Sequence, residues 1–203
     1  MRTGLDAEQY VAARGWRDAT LPRCPNHPDG GCSLARHGTY MRKTPRGTRI
    51  ARWYCPESRT TFSLLPDCLA ARLPGTLVDL EEAVAAAERA KSLEAAADAV
   101  RGDPVQLPGA MRWLRRRIRL VRRALAAAGA LLPEPLAGCP PTVLAFRDRL
   151  DTGAALVRLR EAAAPRLADL PTPLGYATRP PTRARRAAAL QQWTGHDPPP
   201  CGS

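Results

Sequence analysis

Two short segments headed by cysteine constrain this chain more than any other feature: Cys24-Pro-Asn-His27 and Cys55-Pro-Glu-Ser58. Around the first, Pro22, Pro25, Pro28 and Gly30-Gly31 forbid a helix. Residues 38–43, 48–54 and 59–64 then carry the β-formers Tyr40, Ile50, Trp53, Tyr54, Thr60, Thr61 and Phe62. Pro45-Arg46-Gly47 marks the turn between the first two. The pattern predicts a small antiparallel sheet, which buries too little apolar surface to hold itself and needs a staple.

A metal ion is the staple that the spacing supports. A C-x2-[CH] loop presents two soft or borderline donors from one turn, and zinc takes four in a tetrahedron. The second loop is incomplete, because Ser58 stands where Cys or His is expected. Cys32, His37 and Cys68 are the candidate replacements. The preferred set is Cys24, His27, Cys32 and Cys55 around one structural Zn2+, and Cys24, Cys32, Cys55 and Cys68 is a four-thiolate rival. Cys139 and Cys201 lie in Pro-rich sequence without a partner His and receive no role.

The second informative feature is the placement of arginine. The 203 residues carry a formal charge of +12, and 29 of the 31 basic residues are Arg. With 36 Ala and 21 Pro, much of that bias is what a GC-rich coding sequence produces, so only position argues for function. Met111, Leu114, Ile118, Val121 and Leu125 recur at helical spacing. The other side of that helix carries Arg112, Arg115, Arg116, Arg117, Arg119, Arg122 and Arg123, seven of twelve residues with no acid among them. Such a run is often only a solvated face. Two preceding helical segments give the outline of a helix-turn-helix, in which Asp103 to Arg112 leads into the DNA groove.

The remaining chain is organised by its breakers. Thr3-x-x-Asp6 predicts a capped helix over residues 3–14, ended by Gly15. One helical turn is expected between Pro66 and Leu73. Thr76-x-x-Asp79 opens a helix to about Lys91, Ser92 caps a short one, and Pro108 starts a long one that ends at Gly129. Residues 142–164 read as one helix, and residues from Pro171 onward as a disordered basic tail. The resulting division is an N-terminal helix (1–21), a zinc-ribbon-like domain (22–75), a helix-turn-helix-like domain (76–130), a helical, Pro-rich extension (131–170) and the tail (171–203). The fold class is α+β: a small antiparallel zinc ribbon, then an all-α domain, then a Pro/Ala-rich C-terminal region.

Several function classes are disfavoured. No run of apolar residues approaches a membrane span, and the first ten residues lack an apolar signal core, so the expectation is a cytoplasmic protein without a membrane partner. The chain has no phosphate-binding Gly loop, no G-x-S-x-G elbow and no H-E-x-x-H pair. Its three histidines, His27, His37 and His196, share no segment with a candidate nucleophile. It reads as non-catalytic.

The stretch from Cys24 to Pro66 contains Arg36-His37-Gly38-x-Tyr40, Arg52-Trp53-Tyr54-Cys55-Pro56 and Thr61-Phe62-Ser63. It resembles the N-terminal zinc ribbon of insertion-sequence transposases and their small DNA-binding companions. The segment through Arg112-Trp113-Leu114-Arg115-Arg116-Arg117 resembles the helix-turn-helix that follows such ribbons. The resemblance covers about residues 22–125. It implies duplex DNA as the partner, a nucleoid location and zinc as a structural ion. It also implies a separately encoded transposase catalytic subunit, since the three nuclease carboxylates have no counterpart here, and it leaves a homodimer open. Lys43, Arg52 and Arg59 would add phosphate contacts from the ribbon. Trp53, Tyr54, Tyr40, Phe62 and Trp113 are expected in cores. The alternatives are a transposase remnant without its nuclease domain and a zinc-ribbon module that binds RNA or an acidic protein.

Overall fold

The computed structural model describes residues 1–100 and 107–177. It is a mixed α+β structure with a three-stranded antiparallel sheet and several helices. Helix α1 (Ala7–Ala12) precedes strands β1 (Ala35–Met41), β2 (Arg49–Cys55) and β3 (Thr60–Leu64). The helices α2 (Leu77–Arg89), α3 (Leu93–Val100), α4 (Leu107–Leu131), α5 (Pro133–Leu136), α6 (Val143–Leu150) and α7 (Ala155–Ala162) follow.

The sheet order is β1-β2-β3, so β2 is central. Its register pairs Tyr40 with Ile50 on one side and Trp53 with Phe62 on the other. Ile50 is fully buried in a small core with Ala7, Leu65, Cys68, Leu69 and Ala71. Helix α1 seats on this core through Ala7, and Tyr10 donates from its hydroxyl to the Arg49 carbonyl. The capping residue of α1 is Asp6, which accepts from the Gln9 backbone while the Gln9 side chain returns the bond. Thr3, expected in that role, instead ties the N-terminal segment to Asp67 by backbone and hydroxyl hydrogen bonds. That contact joins positions 64 residues apart and is invisible to local spacing. Residues 66–73 form no helix but include a single turn closed by the Leu69 N–H on the Pro66 carbonyl at 3.3 Å, after which Leu69 pairs with Thr76 as an isolated bridge.

Thr76 and Asp79 form the expected capping box at α2, and Ser92 accepts from the Ala95 backbone at the start of α3. Helix α4 runs through Gly129 to Leu131, where Pro133 halts it. Val121, Ala124, Leu125 and Ala128 of α4 pack with Leu77, Leu80, Val84 and Ala85 of α2. Leu136, Val143, Phe146, Leu156, Leu159, Leu170 and Leu174 complete the same core. Residues beyond 131, read from sequence as an extension, therefore supply about half of the main helical core. The single helix expected over 142–164 is two: Asp151 adopts a left-handed conformation (φ 46°) and turns the chain between α6 and α7.

One buried acid organises this turn. Glu81 of α2 is fully buried. One oxygen accepts from Arg147 Nε at 2.7 Å and from the Ala155 backbone at 2.9 Å; the other accepts from the Leu156 backbone at 2.7 Å. It thus caps the open N-terminus of α7 and pairs with a cation on α6. Glu88, two turns on, accepts from the Val143 and Leu144 backbones at the start of α6.

The expected disorder does not begin at Pro171. Residues 171–177 form a strap: the Pro173 carbonyl accepts from Ala71, and the Tyr176 and Ala177 backbones donate to Leu167 and Leu170. Leu174 is fully buried, and a Cβ on Gly175 would lie 2.6 Å from the Leu170 Cβ. The rest of the predicted tail, 178–203, lies outside the described residues.

Removing the Glu81 carboxylate leaves the Arg147 Nε and two backbone donors of α7 without their acceptor, while Arg147 keeps its bond to Glu82 at 2.5 Å. Glu81→Ala is expected to destabilise the fold by about 3–5 kcal/mol, read as a lowered denaturant midpoint, whereas Glu82→Ala at the exposed partner should cost less than about 1 kcal/mol.

Candidate metal centre and basic helix

The fold converges four donors on one point. Cys24 and His27 sit on one loop, where the His27 backbone donates to the Cys24 carbonyl at 3.1 Å and Gly30 donates to the His27 carbonyl at 3.1 Å. Cys55 ends β2, so its side chain is positioned by the central strand. Cys32 comes from the segment before β1, whose neighbour Ser33 donates its backbone N–H to Glu57 on the β2–β3 turn at 2.9 Å. One ligand atom from each of Cys24, His27, Cys32 and Cys55 lies within 4.8 Å of all the others, and together they could bind one metal ion. Cys24 and Cys55 are buried, and His27 and Cys32 half-buried.

The donor geometry fits a tetrahedral ion. Ligands at about 2.3 Å (S) and about 2.0 Å (N) place neighbouring S and N donors about 3.5 Å apart in a tetrahedron. His27 Nδ1 lies 3.5 Å from Cys24 Sγ and 3.4 Å from Cys55 Sγ. Without a cation, such close thiols compete for protons. Burial and the hydrogen bonds of Cys24 and Cys55 push the Cys32 thiol up to about 11. For Cys55, burial works upward, but hydrogen bonds from Ser58 and from the other two thiols outweigh it and lower the value. Glu57 is held below the usual carboxylate range by the Ser33 backbone N–H.

The structure also sorts the alternatives. Cys68 is buried in the core under α1, apart from the four donors, and burial pushes its thiol up to about 11. His37 lies on β1 with its ring 5.4 Å from that of Tyr54. Neither joins the cluster. Cys32, from the segment before β1, takes the place in the cluster that Ser58 leaves open, so three of the four donors precede β1 and one ends β2.

The Arg residues of α4 fall into two groups. Arg112, Arg115, Arg116, Arg119, Arg122 and Arg123 are exposed, opposite the buried face of Leu114, Val121, Ala124, Leu125 and Ala128. None of the six meets a carboxylate among the described residues. Arg117 is half-buried, with its guanidinium 3.5 Å from the centre of the Trp113 ring. Burial and the neighbouring Arg116 charge lower its pKa to about 10, leaving it cationic at neutral pH. Trp113, expected in the core, is 39% exposed, as is Tyr40. The one apolar ring beside the Arg cluster is therefore a surface platform covered by a cation.

Helices α2, α3 and α4 pack on one another, with Ala96 and Ala97 of α3 against Leu114 of α4. Asp103 and the rest of the connection over 101–106 lie outside the described residues. The sheet's basic residues are dispersed. Lys43 is in the β1–β2 turn and Arg59 in the β2–β3 turn, at opposite ends of an antiparallel sheet, with Arg52 half-buried on the strand between them. Arg42, the neighbour of Lys43, donates to the carbonyls of Ala70 and Leu73.

No helix among the described residues is long and apolar enough to cross a membrane. Comparison with protein-family models, with curated proteins and with solved structures returned no match.

Cys55→Ser and Cys24→Ser should each abolish stoichiometric metal binding, measured as bound metal per chain by elemental analysis. Cys68→Ser should retain one equivalent. Equal loss in all three would refute the four-donor set.

Proposed function

We propose that this chain is a non-catalytic, DNA-binding protein related to transposase N-terminal regions, with a zinc-ribbon domain and an Arg-rich helix that meets duplex DNA. The observation that carries the reading is the outward face of α4, with six exposed guanidiniums that meet no acid among the described residues. At 25 residues the helix is about 37 Å long, which is enough to span a major groove and reach phosphates on both walls. The packed α2–α4 trio supports a helix-turn-helix-like scaffold, in which α4 is anchored by its apolar face and six of its cations are exposed.

Zinc is the metal that best suits one imidazole and three thiolates with donors at tetrahedral separations. Cys24, His27, Cys32 and Cys55 would hold it, and the ion would supply structural cross-linking. Held that way, the sheet would keep Lys43 and Arg52 in fixed positions. Arg59, at the far end, would contribute least. A separately encoded catalytic subunit would carry any strand-transfer chemistry.

Binding of this kind is driven by counterion release, so affinity should fall steeply with salt. Fluorescence anisotropy of a duplex of random sequence gives the slope of log K against log salt. Replacing Arg115 and Arg122 together by Ala removes two exposed cations that make no hydrogen bond from their side chains among the described residues, and should reduce that slope by about 2. An unchanged slope, or equal affinity for RNA and duplex DNA, would overturn the reading.

A further inference from the structure

Helix α4 and the 171–177 strap enclose a recess of about 760 Å³. Its lining includes Arg72, Arg116, Arg119 and Arg123, with Leu73, Leu120, Pro171 and Thr172, and has no acidic residue among the described residues. The volume is that of a small-molecule site.

Arg72 is built into this recess rather than merely near it. Its two terminal nitrogens donate to the carbonyls of Ala177 (3.1 Å) and Tyr176 (3.0 Å), which fixes the guanidinium against the strap. Its backbone is left-handed, with φ 57°, a conformation that disfavours a side chain other than Gly or Asn. The strap is held in turn by Leu174 and by the close approach at Gly175. One wall therefore carries a preoriented cation, and the other carries three more at helical spacing 116, 119 and 123.

We infer that this recess is a binding site for a condensed oligophosphate, the run of directly linked phosphoryl groups found in nucleoside triphosphates and inorganic polyphosphate. Four guanidiniums around a small concave volume suit a ligand that concentrates several negative charges in the same space. A duplex presents its phosphates singly along an outer backbone and cannot bring several of them into such a recess. The apolar side chains Leu73, Leu120 and Pro171 exclude water from part of the site and strengthen the attraction, and the Thr172 hydroxyl is a further donor. The inference does not depend on DNA binding, because it concerns the strap side of α4, whereas Arg115 and Arg122 lie off the recess.

The test is calorimetric titration of the full chain with sodium tripolyphosphate and, separately, with ATP at 150 mM salt. One saturable site per chain is expected for both. Arg119→Ala with Arg123→Ala alters only exposed side chains, so a melting curve matching the parent certifies the fold; affinity should fall at least about tenfold. Arg115→Ala with Arg122→Ala should change it less than about twofold. Equal affinities for the two probes assign the site to the phosphate chain alone, and tighter binding of ATP assigns it to a nucleotide. Non-saturating binding, or equal losses in the two double variants, would show only diffuse electrostatic attraction and would overturn the site. Because the DNA test uses Arg115 and Arg122 and this one Arg119 and Arg123, either result can fail without the other.

Discussion

Small apolar side chains set the central constraint on this fold. The main helical core includes Ala70, Ala85, Ala124, Ala128, Ala155 and Ala163, and Phe146 is its one aromatic side chain among the fully buried residues. Alanine buries little area, so each contact contributes little hydrophobic free energy. Short helices packed through such residues need their ends fixed by directional groups. Glu81 and Glu88 do this for α7 and α6, each accepting from two backbone N–H groups that would otherwise be buried without partners. The same problem in the sheet is met by a different solution. Three strands of five to seven residues carry few large apolar groups on either face, and beside them four donor atoms that could hold one metal ion meet instead.

Arginine serves the same end elsewhere. Arg160 is buried, donating to the Leu69 carbonyl and to the Tyr176 hydroxyl. Arg36 donates to the carbonyls of Trp16 and Arg17, Arg42 to those of Ala70 and Leu73, and Arg72 to those of Tyr176 and Ala177. Each joins segments distant in sequence by satisfying carbonyls in irregular chain. A planar guanidinium with five donors suits this role better than an ammonium. These residues account for part of the positive charge without any external partner, and they separate structural cations from the exposed row on α4.

Local signals were legible in the sequence where the physics is local. The three strands lie within three residues of the expected segments, and the Thr76 capping box and Ser92 cap are where spacing places them. The preferred ligand set, Cys24, His27, Cys32 and Cys55, is the one the fold assembles, because two of the donors share a loop and proline-rich turns leave few alternatives. Non-local features were not legible. Thr3 fits a capping pattern, yet Asp67 claims it across 64 residues. Asp151-Thr152-Gly153 is a short turn signal within the helical pattern; the left-handed backbone of Asp151 splits that pattern there, and Glu81, 74 residues upstream of Ala155, caps the second helix start. The strap after Pro171 has the composition of a tail. It orders because Leu174 finds a core site and Gly175 leaves room for close backbone contact.

The position of Arg72 links these two themes. It belongs to the loop that joins the sheet to the helices, and Ala70 and Leu73 on either side of it receive Arg42 from the sheet. Ala71 donates to Pro173 of the strap, and Arg72 itself donates to the next turn of that strap. One short loop thus couples the sheet that carries the Cys/His cluster, the strap and the basic face of α4. A cation held there costs self-repulsion with Arg116, Arg119 and Arg123, which share the same recess. Satisfying two carbonyls needs donors but not four converging charges, so the structural role of Arg72 explains its hydrogen bonds and leaves the charge of the recess to be balanced by an anion.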